Sequence, residues 1–414
     1  LALVVFLSLC AGCTSGLFGA RPLASTTIRV QEEQQLGAAA LRLVLQQGGG
    51  SFGDSNLISY VETLGEDLAL QTGLAPLSFR FAVVNDSAVN SFALPGAVVV
   101  ITRGLLVKLA NEAELAAVLG HELGHIRAGH CLHGLGRAAL LESPGEAAGL
   151  LTSDPFIRGA ARLLREPYAA VEEIEADRLG IDFMIKAGYP PSGLLQLQTE
   201  FSRAADGGLD AQGLGARLFS HPFGGQRLAE NRNYIRQQYP QASEIGGDEA
   251  EFLRGMQYLQ ATRQGYASFN QARQLEQQGQ LAAAISRYHQ ALLEAPDEPL
   301  ILTSLGLAYL RNNDLVPARR YLLKAVHFQG DYYQSRLALG YVYQQKQQYA
   351  EAREQLEVGF SLLPTLEGGY MLAAARQQTG DFEGARQLFA AVAGADARGK
   401  LGRNAADKLK QLGK

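Results

Sequence analysis

Asn111-Glu-Ala-Glu-Leu-Ala-Ala-Val-Leu-Gly-His121-Glu122-Leu-Gly-His125 decides how the rest of the chain is read. Asn111 is a good N-cap, and Glu114 stands three residues on, where a capping box wants it. Leu115, Val118, Leu119 and Ile126 recur at helical spacing, so the stretch predicts one amphipathic helix. His121 and His125 are four apart and share a face. Two neutral imidazoles one turn apart can hold a zinc ion together. Glu122, beside the first of them, is placed to act as general base on an attacking water. A surface helix with two solvated histidines would carry the same letters. The segment near residue 173 separates the two readings.

A second helix is predicted over Ala169–Lys186, stopped by Gly188 and Pro190-Pro191. Its Glu173 and Asp177 are also four apart. A carboxylate from a second helix completes a zinc site begun by two histidines and leaves the fourth position open. Asp177 can accept a hydrogen bond from a ligand histidine and fix its tautomer. With Glu172 and Glu175 close by, a solvated acidic face is the competing reading; the need for a third ligand at this spacing decides against it. His130, five residues past His125, is expected to point off the ligand face. A metzincin-type site is rejected, because residue 128 is alanine and residue 131 is cysteine. Cys131 is expected to be a small buried residue. Gly134 to Pro167, broken by Pro144, Gly145, Pro155 and Gly159, is expected to cover the cleft.

Upstream, Gln31–Gln47 and Leu57–Thr72 have helical periodicity, with a Gly48–Gly53 break between them. The period then changes to that of strands over Ser78–Val84 and Ala97–Thr102. Asn85 to Gly96 joins them, with a turn at Pro95-Gly96. An edge strand beside the metal could pair with an extended peptide; a purely structural hairpin fits equally well.

His121-Glu-Leu-Gly-His125 followed by Glu173-Ile-Glu-Ala-Asp177 resembles the BepA-like and CAAX-prenyl-protease-like family of gluzincin metallopeptidases. Asn90-Ser-Phe-Ala-Leu-Pro-Gly96 resembles the segment this family carries upstream of its zinc helix. Ser220-His221-Pro222 with Arg227 resembles a third segment downstream. The resemblance covers about residues 30 to 240, in family order. It implies His121, His125 and Glu173 as ligands of one Zn2+, Glu122 as catalytic base, and Asp177 in a supporting or proton-handling catalytic role. It also implies that His221 can occupy the metal's open position and hold the enzyme off; a turn, or an oxyanion-stabilising role, are the other readings of that histidine. The family usually has Ser-Arg four residues before the glutamate ligand, where Ala169-Ala170 stand here.

From about Ser268 the chain repeats. Ala284, Ala318, Ala352 and Ala385 are spaced 34, 34 and 33 apart, each just after a short polar turn. Ala291, Ala325, Gly359 and Val392 recur at equivalent places. This period resembles tetratricopeptide repeats, stacked helix hairpins with a concave partner-binding face. About four fit, with Asn404–Lys414 as a cap.

The first dozen residues are almost wholly apolar, yet short of the roughly 20 needed to span a bilayer. They fit the apolar core of a secretory signal. Ala11-Gly12-Cys13 resembles a bacterial lipoprotein processing box, with Cys13 as the lipidated residue; an ordinary secretory signal is the alternative. Cysteines at 10, 13 and 131 give no disulfide framework. A net charge of −4 without a long basic run argues against nucleic-acid binding.

The expectation is a mainly α protein: a zincin-type metallopeptidase domain with a small β-sheet, followed by an α-helical repeat solenoid. The divisions are a signal at 1–13, a tether at 14–30, the peptidase at 31–245, a docking stretch at 246–267 and repeats at 268–414. The resemblance implies a periplasmic endopeptidase, and the lipoprotein-like box would anchor it to the outer membrane through Cys13. It would act on misfolded or stalled outer-membrane proteins, and the repeats would recruit the outer-membrane assembly machinery or the client. The rival is a chaperone or scaffold whose zinc site is closed or mainly structural.

Overall fold

The computed structural model describes residues 30–74, 77–132, 149–164, 167–206, 221, 225–242 and 246–412. Cys13, the signal, and the tether up to residue 29 lie outside them, as do Ser220, Pro222 and residues 133–148 of the stretch expected to cover the cleft.

Helices α1 (Val30–Gln47) and α2 (Ser55–Ala69) come first, with Asp54 capping α2 by accepting from the Asn56 amide. A three-stranded sheet comes next: β1 (Arg80–Val84), β2 (Ser91–Leu94) and β3 (Val98–Thr102), in the order β1-β3-β2. β3 is central and buried at all five positions, which its unbroken Val-Val-Val-Ile run requires. β1 pairs with it in parallel, β2 antiparallel with Ser91 opposite Ile101. β2 lies within the stretch expected only to connect the two strands; four residues ending at the Pro95-Gly96 turn are too few to show a period. β2 is an edge strand lying against the next long helix.

That helix, α4 (Glu112–Ala128), comes after the short α3 (Arg103–Leu106). Asn111 Oδ1 accepts from the Glu114 amide at 3.0 Å, and Gly129 ends the helix at φ 75°. α5 (Pro155–Leu163) lies along α1 rather than over the cleft: Ile157 and Ala160 join Leu36 and Ala40 in one apolar cluster. Just before it, the Leu151 amide bonds to the Pro364 carbonyl in the repeat array. The described part of the expected cover therefore fastens the domain to the array instead.

α6 (Ala170–Lys186) packs across α4 at close range. Glycines permit it: a Cβ on Gly124 would lie 2.4 Å from the Ala176 carbonyl oxygen, and one on Gly180 would lie 2.8 Å from the Gly120 carbonyl carbon. The approach brings the face carrying His121 and His125 onto the face carrying Glu173 and Asp177. α7 (Ser192–Asp206) packs on α4, and α8 (Gly225–Gln238) packs on α6 and α7.

The short α9 (Glu249–Gly255) leads into α10 (Gln257–Gln277), which runs unbroken past residue 268 and pairs with α11 (Leu281–Glu294) as a helix hairpin. Three more hairpins succeed it: α12 (Pro299–Arg311) with α13 (Leu315–Phe328), α14 (Tyr333–Gln345) with α15 (Tyr349–Leu362), and α16 (Leu366–Gln378) with α17 (Phe382–Ala395). The repeating Ala284, Ala318, Ala352 and Ala385 are each fully buried. The turn inside each hairpin takes left-handed backbone at one equivalent position: Gly279, Asn313, Gln347 and Gly380. α18 (Lys400–Leu412) covers the last hairpin with Ala405.

One apolar core runs through both halves. Leu57, Val61, Leu115 and Leu119 of the peptidase side belong to the same cluster as Tyr266, Phe269, Tyr288 and Leu305 of the array. Among the described residues no helix is long and apolar enough to cross a membrane.

Candidate metal centre

His121 and His125 project from α4, Glu173 and Asp177 from α6, and His221 arrives from the chain before α8. All five are buried. His121 Nε2 lies 3.1 Å from His125 Nε2 and 3.1 Å from His221 Nδ1. Glu173 Oε1 lies 2.9 Å from His221 Nδ1 and 3.4 Å from His125 Nε2. One donor atom from each of His121, His125, Glu173 and His221 falls within 4.8 Å of all the others. Bonds of about 2.0–2.1 Å to a tetrahedral zinc would hold donors about 3.3 Å apart, so the cluster has the size such an ion needs.

The outer contacts fix which atoms face inward. His121 Nδ1 is 2.8 Å from Asp177 Oδ1, so the proton sits on Nδ1 and the Nε2 lone pair points into the cluster. His125 Nδ1 is 3.0 Å from His130 Nδ1, whose Nε2 faces Glu175 at 3.5 Å. The two Nε2 atoms stand 3.1 Å apart, close enough for one divalent ion to take a lone pair from each. The donor set, three imidazoles and a carboxylate, suits it.

The contact with His130 overturns the expectation that this residue points away from the ligands. α4 stops at Gly129, so counting helical angle beyond that residue fails, and the chain swings His130 back under His125. Cys131 is buried as expected, its Sγ donating to the Ala93 carbonyl at 3.3 Å. Tyr168, which no spacing pointed to, stacks on the His125 ring with centroids 3.8 Å apart and donates to the same carbonyl at 3.1 Å.

Asp177 is saturated. Arg227 donates to it from Nε (2.6 Å) and Nη2 (2.8 Å), Gln198 at 2.9 Å and Asn231 at 2.7 Å. Burial opposes its charge, but Arg227 and His121 outweigh burial and hold the carboxyl well below the usual carboxylate range. Arg227 Nη1 also lies 2.6 Å from Glu173 Oε2. Burial opposes charge on Glu173 too; His221, His125 and His121 outweigh it and keep the group ionised. Burial holds His125 neutral, as a metal ligand must be. Where Ala169-Ala170 leave the family's usual arginine out, Arg227 of α8 balances the acidic pair.

Glu122 is fully buried beside the cluster. Its Oε1 accepts from Ser91 Oγ at 2.6 Å and faces His221 Nε2 at 3.4 Å. Its Oε2 has no hydrogen-bond partner among the described residues. A buried carboxylate oxygen with an open lone pair, held at its other oxygen, is what a general base requires. A largely apolar cavity opens beside His121, walled by Val89, Ser91, Leu105, Val118, Leu197 and Phe201.

Residues 57–235 match the model of peptidase family M48. The beta-barrel assembly-enhancing protease of Yersinia pestis is 26% identical over 383 residues, covering 75% of this chain and 78% of the relative. That of Escherichia coli K12 is 26% identical over 238 residues, 54% of this chain and 48% of the relative. The mitochondrial metalloendopeptidase OMA1 of Arabidopsis thaliana is 34% identical over 162 residues, 38% of this chain and 32% of the relative. For these last two the chain spans half the relative's length or less. Among solved structures, MamA from residue 41 to its end, of Desulfovibrio magneticus RS-1, aligns over 36% of this chain and 92% of its own at 15% identity and a TM-score of 0.30. Residues 57–235 thus match a metallopeptidase domain of family M48, and the helix hairpins α10 to α17, with their tetratricopeptide-type period, come after it.

Proposed function

We propose that the chain is an exported zinc-dependent endopeptidase acting on unfolded or stalled outer-membrane β-barrel proteins, with the array recruiting the client or the assembly machinery. The observation that carries the reading is the meeting of His121, His125 and Glu173 in one buried cluster with Glu122 beside it. Similarity to relatives named beta-barrel assembly-enhancing protease supports that choice of substrate class.

His121, His125 and Glu173 would hold the zinc. Bound there, zinc supplies Lewis acidity, polarising the scissile carbonyl and acidifying the attacking water. Glu122 takes the proton on its free Oε2 while Ser91 keeps Oε1 in place, and then passes it to the leaving amine. Asp177 is a positioning residue: it keeps His121 in the tautomer whose Nε2 faces inward. Arg227 offsets the charge of Asp177 and Glu173. The outer edge of β2, next to Glu122, is where an extended substrate backbone would pair once Tyr168 releases the Ala93 carbonyl.

His221 closes this site. Its Nδ1 stands among the donor atoms and its Nε2 faces Glu122, which favours the fourth-ligand role over the oxyanion role. Tyr168, bonded to the Ala93 carbonyl of β2, adds a second obstruction. The closed arrangement also favours a second reading, in which the protein mainly scaffolds assembly.

Glu122→Gln discriminates. On the enzyme reading it keeps one zinc per chain, loses cleavage of an unfolded β-barrel protein, and fails to restore barrel assembly in cells lacking the gene. Full restoration by that variant would favour the scaffold. Cleavage by the wild-type chain that survives complete removal of metal by a chelator would end the zinc reading.

A further inference from the structure

Four buried polar side chains join the array to the peptidase. Arg103 Nε donates to Asn85 Oδ1 at 2.8 Å, Asn85 Nδ2 donates to Tyr266 Oη at 2.7 Å, and Tyr266 Oη donates to Glu298. Each group donates to the next, so the chain has one polarity from a guanidinium to a carboxylate. The Arg103 guanidinium also lies over the Tyr266 ring, 3.6 Å from its centroid. None of the four is more than 3% exposed. Asn85 and Arg103 belong to the peptidase, at the end of β1 and the start of α3; Tyr266 and Glu298 belong to α10 and the N-cap of α12.

The array does not need this acid for its own stacking. The residues at the same N-cap place in the next two hairpins are Tyr332 and Thr365. Glu298 does not cap its helix with its side chain but accepts from Tyr258 and Tyr266. A buried carboxylate costs stability unless fully paired; the other two positions also meet the peptidase side, where Asp331 and Tyr333 bond to Gln46 and Thr365 bridges Leu150, and neither carries an acid.

What the network grips is the segment 85–91. Arg103 Nη2 donates to Ser87 Oγ (3.1 Å), which donates to Asn270 of α10 (2.7 Å). The Gly104 amide bonds to the Asp86 carbonyl at 2.8 Å, and Thr102 Oγ1 to the Ala88 carbonyl at 2.6 Å. A Cβ on Gly104 would lie 2.2 Å from the carbonyl oxygens of Ser87 and Ala88, so the segment lies flush on α3. Its far end is Ser91, bonded to Glu122, and its Val89 and Ser91 form one wall of the cavity beside His121.

We propose that Tyr266 and Glu298, supplied by the repeat array, are positioning residues of the peptidase site: through Asn85 and Arg103 they fix segment 85–91, and with it Ser91 against Glu122 and the cavity wall. The array is thereby a working part of the site and not only a recruiting arm. The effect on turnover rests on the peptidase reading; the ordering of 85–91 does not.

The test uses the full chain. Glu298→Gln should raise amide hydrogen exchange in a peptide spanning 85–91 by about tenfold, with or without zinc, through local opening. Glu276→Gln, which breaks a pair with Arg311 inside the array, should leave that peptide unchanged. With zinc bound, Glu298→Gln should lower kcat by about fivefold and Ser91→Ala by a similar factor, while the double variant is no worse than either alone, as for residues acting through one route. Multiplying losses, or unchanged exchange at 85–91 in a folded Glu298→Gln chain, would overturn the proposal. Should that variant fail to fold, Tyr266→Phe keeps the ring under Arg103, cuts the link to Glu298, and must show the same rise in exchange. A wild-type chain without hydrolysis would sink the peptidase reading alone, and the exchange result would still decide the bracing.

Discussion

Arg227 and Asp177 meet through two hydrogen bonds at once, Nε to Oδ2 at 2.6 Å and Nη2 to Oδ1 at 2.8 Å, with both side chains buried. A forked guanidinium matches a carboxylate in this way and a lysine does not. Removing it would leave Asp177 and Glu173 charged and poorly compensated beside each other. We expect Arg227→Ala to cost about 3–5 kcal/mol of stability, and Arg227→Lys to recover only part of it. Urea unfolding of the metal-free chain checks this; a loss under about 1 kcal/mol would mean that the pair contributes little.

His221→Ala should remove a donor from the cluster and open the cavity to substrate. If the closed arrangement dominates in solution, kcat/KM on an unfolded β-barrel protein should rise by about tenfold or more, since the competent fraction limits the apparent rate. A fall would instead assign His221 to stabilising the reaction. An unchanged rate would remove both roles.

Burial pushes the Cys131 thiol up to about 12, against about 8.5 for a free cysteine. The native thiol should resist alkylation at pH 8 and react at once on unfolding, read by mass spectrometry of the peptide containing residue 131. Between about pH 9 and 12 the unfolded chain gives up this proton and the native chain keeps it. The contribution of Cys131 is therefore complete below about pH 8.5 and is lost as pH rises towards about 12. Cys131→Ala should flatten the alkaline fall in stability.

Gln347 occupies left-handed backbone, φ 59°, at the turn where two of the other hairpins have glycine. Its side chain is exposed. Gln347→Gly should relieve the steric cost of that conformation and raise stability by about 0.5–1 kcal/mol. A thermal melt checks it, and a lower Tm would contradict the reading of the turn.

Features written within one helix were legible in the sequence. The cap at Asn111 and the four-residue spacings of His121 with His125 and Glu173 with Asp177 are local signals, and α4 and α6 formed as read. The repeat was legible because small residues at a fixed period are what close stacking of hairpins demands. What escaped was either short or distant. β2 has four residues. His130 lies past a helix stop, where helical counting fails. Ser91, Tyr168, Gln198 and Asn231 reach the site from separate stretches, and only packing brings them there. The described part of the stretch expected to cover the cleft was misjudged for a similar reason: apolar runs broken by Pro155 and Gly159 do not tell what they will meet.

The most direct measurement is an anomalous difference map at the zinc edge from crystals of the full chain grown with zinc. We expect a single strong peak at about 2.0–2.1 Å from His121 Nε2 and His125 Nε2, with a Glu173 oxygen at a similar distance. A peak elsewhere, or one bound by the two histidines with Glu173 turned away, would contradict a metal centre built from both helices.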